Sequence, residues 1–119
     1  MFIIYHNPKC SKSRNAVQYL SDHNHDFKII EYLKYPPTAI ELKKIIKKLN
    51  TNIHDIIRKK EPEYKIHHLH NNNLSEDQII DILINTPKLI ERPIIISNNS
   101  ACIARPLDNL INMINDESK

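Results

Sequence analysis

The chain has 119 residues, room for one domain around one principal core and too few for two domains of ordinary size. Its 40% hydrophobic and 26% charged residues match a soluble globular composition, and no apolar run approaches the roughly 20 residues of a membrane-spanning helix. A net charge of +3 is too small to mark a nucleic-acid surface, so neither nucleic acid nor a membrane is expected as a partner.

The N-terminus, Met1-Phe2-Ile3-Ile4-Tyr5, lacks the basic and then long apolar plan of a signal peptide. With only two cysteines, the expectation is a cytoplasmic protein whose thiols stay reduced. Glycine is absent, and asparagine is the residue best able to replace it in left-handed turns. Asn71-Asn72-Asn73 and Asn98-Asn99 are therefore read as turns.

In chain order, residues 2–5 form an apolar run closed by His6-Asn7-Pro8, the signature of a short buried strand. Past Cys10 the spacing of Ala16, Val17 and Leu20 turns helical. Residues 27–32 read as a second strand, which Pro36-Pro37 ends. Thr38-Ala39-Ile40-Glu41 and Ser75-Glu76-Asp77-Gln78 are capping boxes, each opening a helix with one apolar face. Between them, residues 54–58 and 62–69 look like shorter helical pieces. Pro93-Ile94-Ile95-Ile96 and Ala101-Cys102-Ile103-Ala104, joined at Asn98-Asn99, read as a hairpin. Pro106 opens a last helix carrying Leu107, Leu110, Ile111 and Ile114, with a frayed tail expected over residues 116–119. The order β-α-β, then helices, then β-β-α is the plan of an α/β thioredoxin-like fold with a central mixed sheet. A single domain over residues 1–119 is expected, with a helical insertion at about 38–86.

Cys10 lies where the first strand passes into the first helix. Free amides at a helix N-terminus favour negative charge, which lowers a thiol's pKa and also makes an anion pocket. Arg14 one turn on and His6 four residues back are placed to add positive potential. Most lone cysteines are inert small hydrophobes, so the neighbouring residues decide the matter. His6-Asn7-Pro8-Lys9-Cys10-Ser11-Lys12-Ser13-Arg14-Asn15 closely resembles the active-site loop of the glutaredoxin-dependent arsenate reductase family.

That resemblance covers nearly the whole chain and implies three anion-binding arginines: Arg58 in Ile56-Ile57-Arg58-Lys59, Arg92 in Glu91-Arg92-Pro93 and Arg105 in Ala104-Arg105-Pro106. A guanidinium fork suits an oxyanion, whose charge is spread over several oxygens. The resemblance also places a cis proline at Pro93, before the strand that faces the reactive cysteine. The implied activity is reduction of arsenate to arsenite. Cys10 would attack arsenic, glutathione as co-substrate would attack the bound arsenic and reduce it, and glutaredoxin would resolve the mixed species. No bound cofactor is implied, and a monomer is expected.

External reductants fit the residues. Cys10-Ser11-Lys12-Ser13 has no second cysteine two positions on, so no C-x-x-C disulfide can form. Cys102, in the hairpin, reads as a small buried residue and is given no catalytic part. Ser13 supports the thiolate by a hydrogen bond or caps the helix, and His6 acts electrostatically or as a structural hydrogen-bond partner. His67, His68 and His70 have no acidic or cysteine partner at a usual spacing, so no metal site is expected. His23 and His25 fall at the end of the first helix.

Two features resemble a shorter subgroup of arsenate-reductase-like proteins with another substrate: the extra lysine, Lys12, and the early end of the chain. An RNA-polymerase-binding regulator of the Spx family shares the fold but uses C-x-x-C, where this chain has Ser13.

Overall fold

The structure is a computed structural model and describes residues 1–71 and 73–117. The turn expected at Asn71–73 thus lies outside the described residues at Asn72, and the expected frayed tail does so at Ser118 and Lys119. The chain divides into two compact units: Met1–Tyr35 with Arg92–Lys119, and Pro36–Glu91.

The first unit holds the sheet. Strands β1 (Phe2–Tyr5), β2 (Phe27–Ile30), β3 (Ile94–Ile96) and β4 (Ala101–Ile103) stand in the order β2-β1-β3-β4. β1 runs parallel to β2 through the crossover helix α1 (Ser11–Asp22), and antiparallel to β3, which pairs antiparallel with β4. The sheet is therefore mixed, as the β-α-β and hairpin readings together require. A final helix, α5 (Asp108–Glu117), follows β4.

Alternation along the strands supplies this unit's core. Ile4 of β1 and Ile95 of β3 pack with Ala16 and Leu20 of α1, Ala104, and Leu110 and Met113 of α5. Ile4, Ala16, Leu20, Ile95 and Leu110 are fully buried. Burial of each large aliphatic side chain contributes about 1.5–3 kcal/mol.

The second unit is helical: α2 (Ala39–Leu49), α3 (Pro62–Ile66) and α4 (Glu76–Asn85), with single 3₁₀ turns at Ile53–Ile56 and Pro87–Leu89. Both expected capping boxes are present. Thr38 Oγ1 accepts from the Glu41 amide at 3.2 Å while Glu41 accepts from the Thr38 amide, and Ser75 and Gln78 repeat the exchange. α2 lies beside α4, buries Leu42, Ile45 and Ile46, and joins it through Lys43–Asp77 at 2.8 Å. The unit runs to Glu91, beyond the expected end near residue 86. The reason is backbone pairing: Arg58 N–H donates to the Leu89 carbonyl and Glu91 N–H to that of Ile56, closing a bridge between Ile57 and Ile90.

Four sequence expectations are adjusted. The second strand ends at Ile30 rather than residue 32. The piece at 62–69 is helical only to Ile66. Pro106 precedes α5 in a turn rather than opening the helix. Among the described residues the left-handed positions are Asn24, Asn50 and His68, so the expected turn at Asn98-Asn99 forms without one. Asn50 ends α2 in that conformation, the position a glycine would ordinarily take.

Candidate active site

Cys10 is the N-cap of α1, with extended backbone, and is partly exposed. A loop built on Asn7 holds it there. Asn7 Oδ1 accepts from the Lys9 amide at 3.0 Å, an Asx-type turn, and the Asn7 carbonyl accepts from the Cys10 amide at 3.0 Å. Arg14 reaches back from α1 and donates to the Pro8 carbonyl at 2.9 Å. The side chain of Arg14 thus braces the loop.

Under the loop lies a buried polar pair. His6 Nδ1 and Ser13 Oγ are 2.6 Å apart, and Ser13 Oγ accepts from the Asn7 amide at 3.0 Å. Burial lowers the His6 pKa, Glu31 opposes this, and Arg14 adds to the lowering. His6 is therefore a neutral imidazole at physiological pH. The simplest arrangement has Ser13 O–H donate to Nδ1, with the ring proton on Nε2. Of the two sequence readings for His6, the hydrogen-bonding one matches this geometry. The Ser13 hydroxyl is likewise committed to His6 and Asn7, while the Ser13 amide addresses the cysteine.

Burial pushes the Cys10 thiol up, but the amides of Ser13 and Lys12, then the charge and hydrogen bond of Arg92, outweigh it. The thiol is held below its ordinary pKa. The large sulfur makes no conventional cap hydrogen bond, yet these amides face it as they would face an anion. Arg105 Nη1 stands 4.0 Å from Sγ, at the outer edge of a hydrogen bond to sulfur. Of the two arginines, Arg92 has the greater hold on ionisation. The Arg92–Pro93 and Arg105–Pro106 peptide bonds are both cis.

The first unit thus brings Cys10, His6, Ser13, Arg14, Arg92 and Arg105 together, with Pro93 next to Arg92. Arg58 belongs to the second unit. There its guanidinium pairs with Glu61 at 2.8 Å and donates to the Lys88 carbonyl at 3.3 Å, while Lys88 pairs with Glu63 at 2.8 Å. Cys102 packs against the core, and burial, helped by the Glu117 charge, raises its pKa to about 12.

His23 ends α1, stacked on Tyr19, and His25 meets Phe2 edge-on. Among the described residues, no group of three His, Cys, Asp or Glu side chains gathers as metal ligands would. No helix of the described residues is long and apolar enough to cross a membrane.

Two participants escape a reading of the sequence. Asn7 organises the loop, and the Asn-Pro step is a turn signal that points there. Glu31, just past β2, acts on His6 across the parallel strand pair and leaves no local sequence signal.

Comparison with known proteins places the chain in a family. The profile of the ArsC family matches residues 5–113. An arsenate reductase of Neisseria meningitidis is 39% identical over 90% of this chain and 92% of its own length. The uncharacterized protein YfgD of Escherichia coli is 37% identical over 93% of this chain and 94% of its own. The solved structure of an arsenate reductase from Vibrio cholerae superposes with a TM-score of 0.90 at 38% identity, covering 93% of this chain and 95% of that one. The fold is thioredoxin-like, and this chain belongs to the ArsC family.

Proposed function

We propose that the protein is an arsenate reductase that acts in the cytoplasm with glutathione and glutaredoxin as its reductants. One observation carries the reading. A cysteine held below its ordinary pKa at a helix start, facing helix amides, is met at its sulfur by two guanidinium groups from the two ends of the β3–β4 hairpin, so a nucleophile and donors for an oxyanion coincide.

Cys10 thiolate displaces one arsenate oxygen, which leaves as water, and an S–As(V) bond forms. Arg92 and Arg105 orient the anion and neutralise charge that develops on its remaining oxygens. Glutathione displaces a second oxygen. A thiol of glutaredoxin then takes the glutathione sulfur, and the As–S electron pair stays on arsenic, now As(III). Water releases arsenite and restores the Cys10 thiolate. The balance is arsenate plus two thiols giving arsenite, a disulfide and water. An external thiol is needed because Cys102 is the only other cysteine and its pKa of about 12 leaves it protonated. For Arg58 the support is the family resemblance.

The test is arsenate-dependent NADPH oxidation with glutathione, glutathione reductase and glutaredoxin. Wild-type turnover that disappears in Cys10→Ser supports the reading. A folded wild-type protein that shows no turnover beside an active control enzyme overturns it.

A further inference from the structure

The loop carries more positive charge than anion binding at Cys10 uses. Lys9 and Lys12 flank the cysteine, are exposed, and form no ion pair among the described residues. Lys12 sits in the first turn of α1, where a cation opposes the helix dipole. α1 has no acidic residue in that turn, whereas α2 places Glu41 there and α4 places Glu76 and Asp77. α3 and α5 keep the rule as well, with Glu63 and Asp108, and a local rule kept in four helices and broken in α1 points to function at the exception.

Charge is also segregated along the chain. No Asp or Glu occurs among residues 1–21 or 93–107, although the whole chain is only +3. Glu31, acting on His6, is a carboxylate that reaches the site through the fold rather than from these segments. Arg92 and Arg105 address the sulfur and Arg14 is bound to Pro8, which leaves the two lysines uncommitted.

We infer that Lys9 and Lys12 form a recognition rim for the carboxylates of a small anionic thiol, the chemical class to which glutathione belongs, and so select the reductant by charge. The inference rests on the reading that an external thiol completes the reaction at Cys10. Ammonium groups on flexible stems suit this task, because carboxylates that approach from solvent need attraction rather than a fixed fork.

The test uses the full chain and two disulfide probes, dithiobis(nitrobenzoate), which carries two carboxylates, and a neutral dipyridyl disulfide. In each reaction Cys10 thiolate attacks one sulfur, a mixed disulfide forms, and the other half leaves as a coloured thiol or thione. The ratio of the anionic to the neutral rate should fall about tenfold in the Lys9→Gln/Lys12→Gln double variant, and Lys→Arg at both positions should restore it. It should also fall as salt is raised in the wild type. An unchanged ratio, or two rates falling together, overturns the inference, the latter because the lysines would then act only on thiol ionisation.

In arsenate turnover, the double variant should raise the KM for glutathione and leave that for 2-mercaptoethanol in place. A raised KM for glutaredoxin alone would instead assign the lysines to an acidic protein partner and overturn the small-thiol inference. If arsenate is not turned over at all, the proposed function fails, while the disulfide ratio still decides the role of the lysines.

Discussion

Cys10 and Cys102 are both free, both partly exposed and both in the sheet-bearing unit, yet their surroundings drive the two thiols in opposite directions. Burial penalises the thiolate at each. At Cys10 the amides of Ser13 and Lys12 and the Arg92 guanidinium outweigh that penalty. At Cys102 nothing compensates, and Glu117 adds to it. Glu117 is itself fixed at the hairpin loop, where its carboxylate accepts from the hydroxyls of Ser97 and Ser100. A helix start makes one cysteine a nucleophile, and a strand set against a core makes the other a packing residue. Depth and dipoles separate them together: Cys102 is the more deeply buried and faces no compensating donor, whereas the amides and guanidinium at Cys10 outweigh a smaller burial.

The comparison breaks most directly by alkylation. At pH 7 iodoacetamide should label Cys10 faster than Cys102 by at least about 100-fold, even after allowing for the greater intrinsic nucleophilicity of the weaker acid's thiolate. Peptide mass mapping over a time course reads both sites in one sample. Comparable labelling of the two would sink the contrast.

A second way in is through the arginines. Arg92→Ala and Arg105→Ala should each lower arsenate turnover by about 100- to 1000-fold, the effect of removing one preorganised donor to a developing anion. The pH dependence of Cys10 alkylation should separate them. Its inflection should move to higher pH in Arg92→Ala and move less in Arg105→Ala, because Arg92 has the greater hold on the thiol. Equal movement in both would show that this division of labour is misplaced.

Two buried serines sharpen the contrast at the level of stability. Ser13 joins His6 and Asn7 beneath the reactive loop, and Ser97 joins Ser100 and Glu117 at the hairpin loop near Cys102. Ser13→Ala leaves a buried imidazole nitrogen and a backbone amide without their partner, at a cost of about 1–3 kcal/mol. Thermal unfolding should show a lowered Tm together with slower Cys10 alkylation. Ser97→Ala should lower Tm without changing Cys10 alkylation. If both variants slow Cys10 equally, the two regions are not independent.

Much of this is legible in the residues, for identifiable reasons. Capping boxes and alternating apolar runs are local signals, so Thr38, Ser75 and the four strands can be placed from the residues alone. The Cys10 loop is legible because the run from His6 to Asn15 resembles the active-site loop of the arsenate reductase family; a cysteine at a strand-to-helix junction would by itself read as an ordinary packing residue. What the residues do not display is pairing across sequence distance. Glu31 reaches His6 only because β1 and β2 lie parallel, and the extension of the second unit to Glu91 depends on backbone pairing with Ile56 and Arg58. The neutral state of His6 follows from burial, which one sequence does not reveal. Asparagine does stand in for glycine, but among the described residues the left-handed asparagines are Asn24 and Asn50, where α1 and α2 end, while the turn at Asn98-Asn99 forms without one.

The most diagnostic effect is one of pH, because the two thiols should tilt stability in opposite directions as pH changes. Cys10 has a folded pKa below its unfolded one. In that window the unfolded chain binds more protons, so stability rises with pH and is lost again as pH falls through the folded value. Cys102 has a folded pKa of about 12, above the roughly 8.5 of a free thiol. Between those values the folded chain holds the proton, and stability falls by up to about 1.4 kcal/mol per pH unit. Denaturant titrations across the alkaline range should show this slope in the wild type. It should flatten in Cys102→Ala and begin to flatten at slightly lower pH in Glu117→Gln, which removes the charge that adds to burial in holding the thiol up. Cys10→Ser should leave the alkaline slope intact and remove only the rise at lower pH. An alkaline slope that survives Cys102→Ala would mean that some other group carries it, and that Cys102 is less isolated from solvent than its place against the core implies.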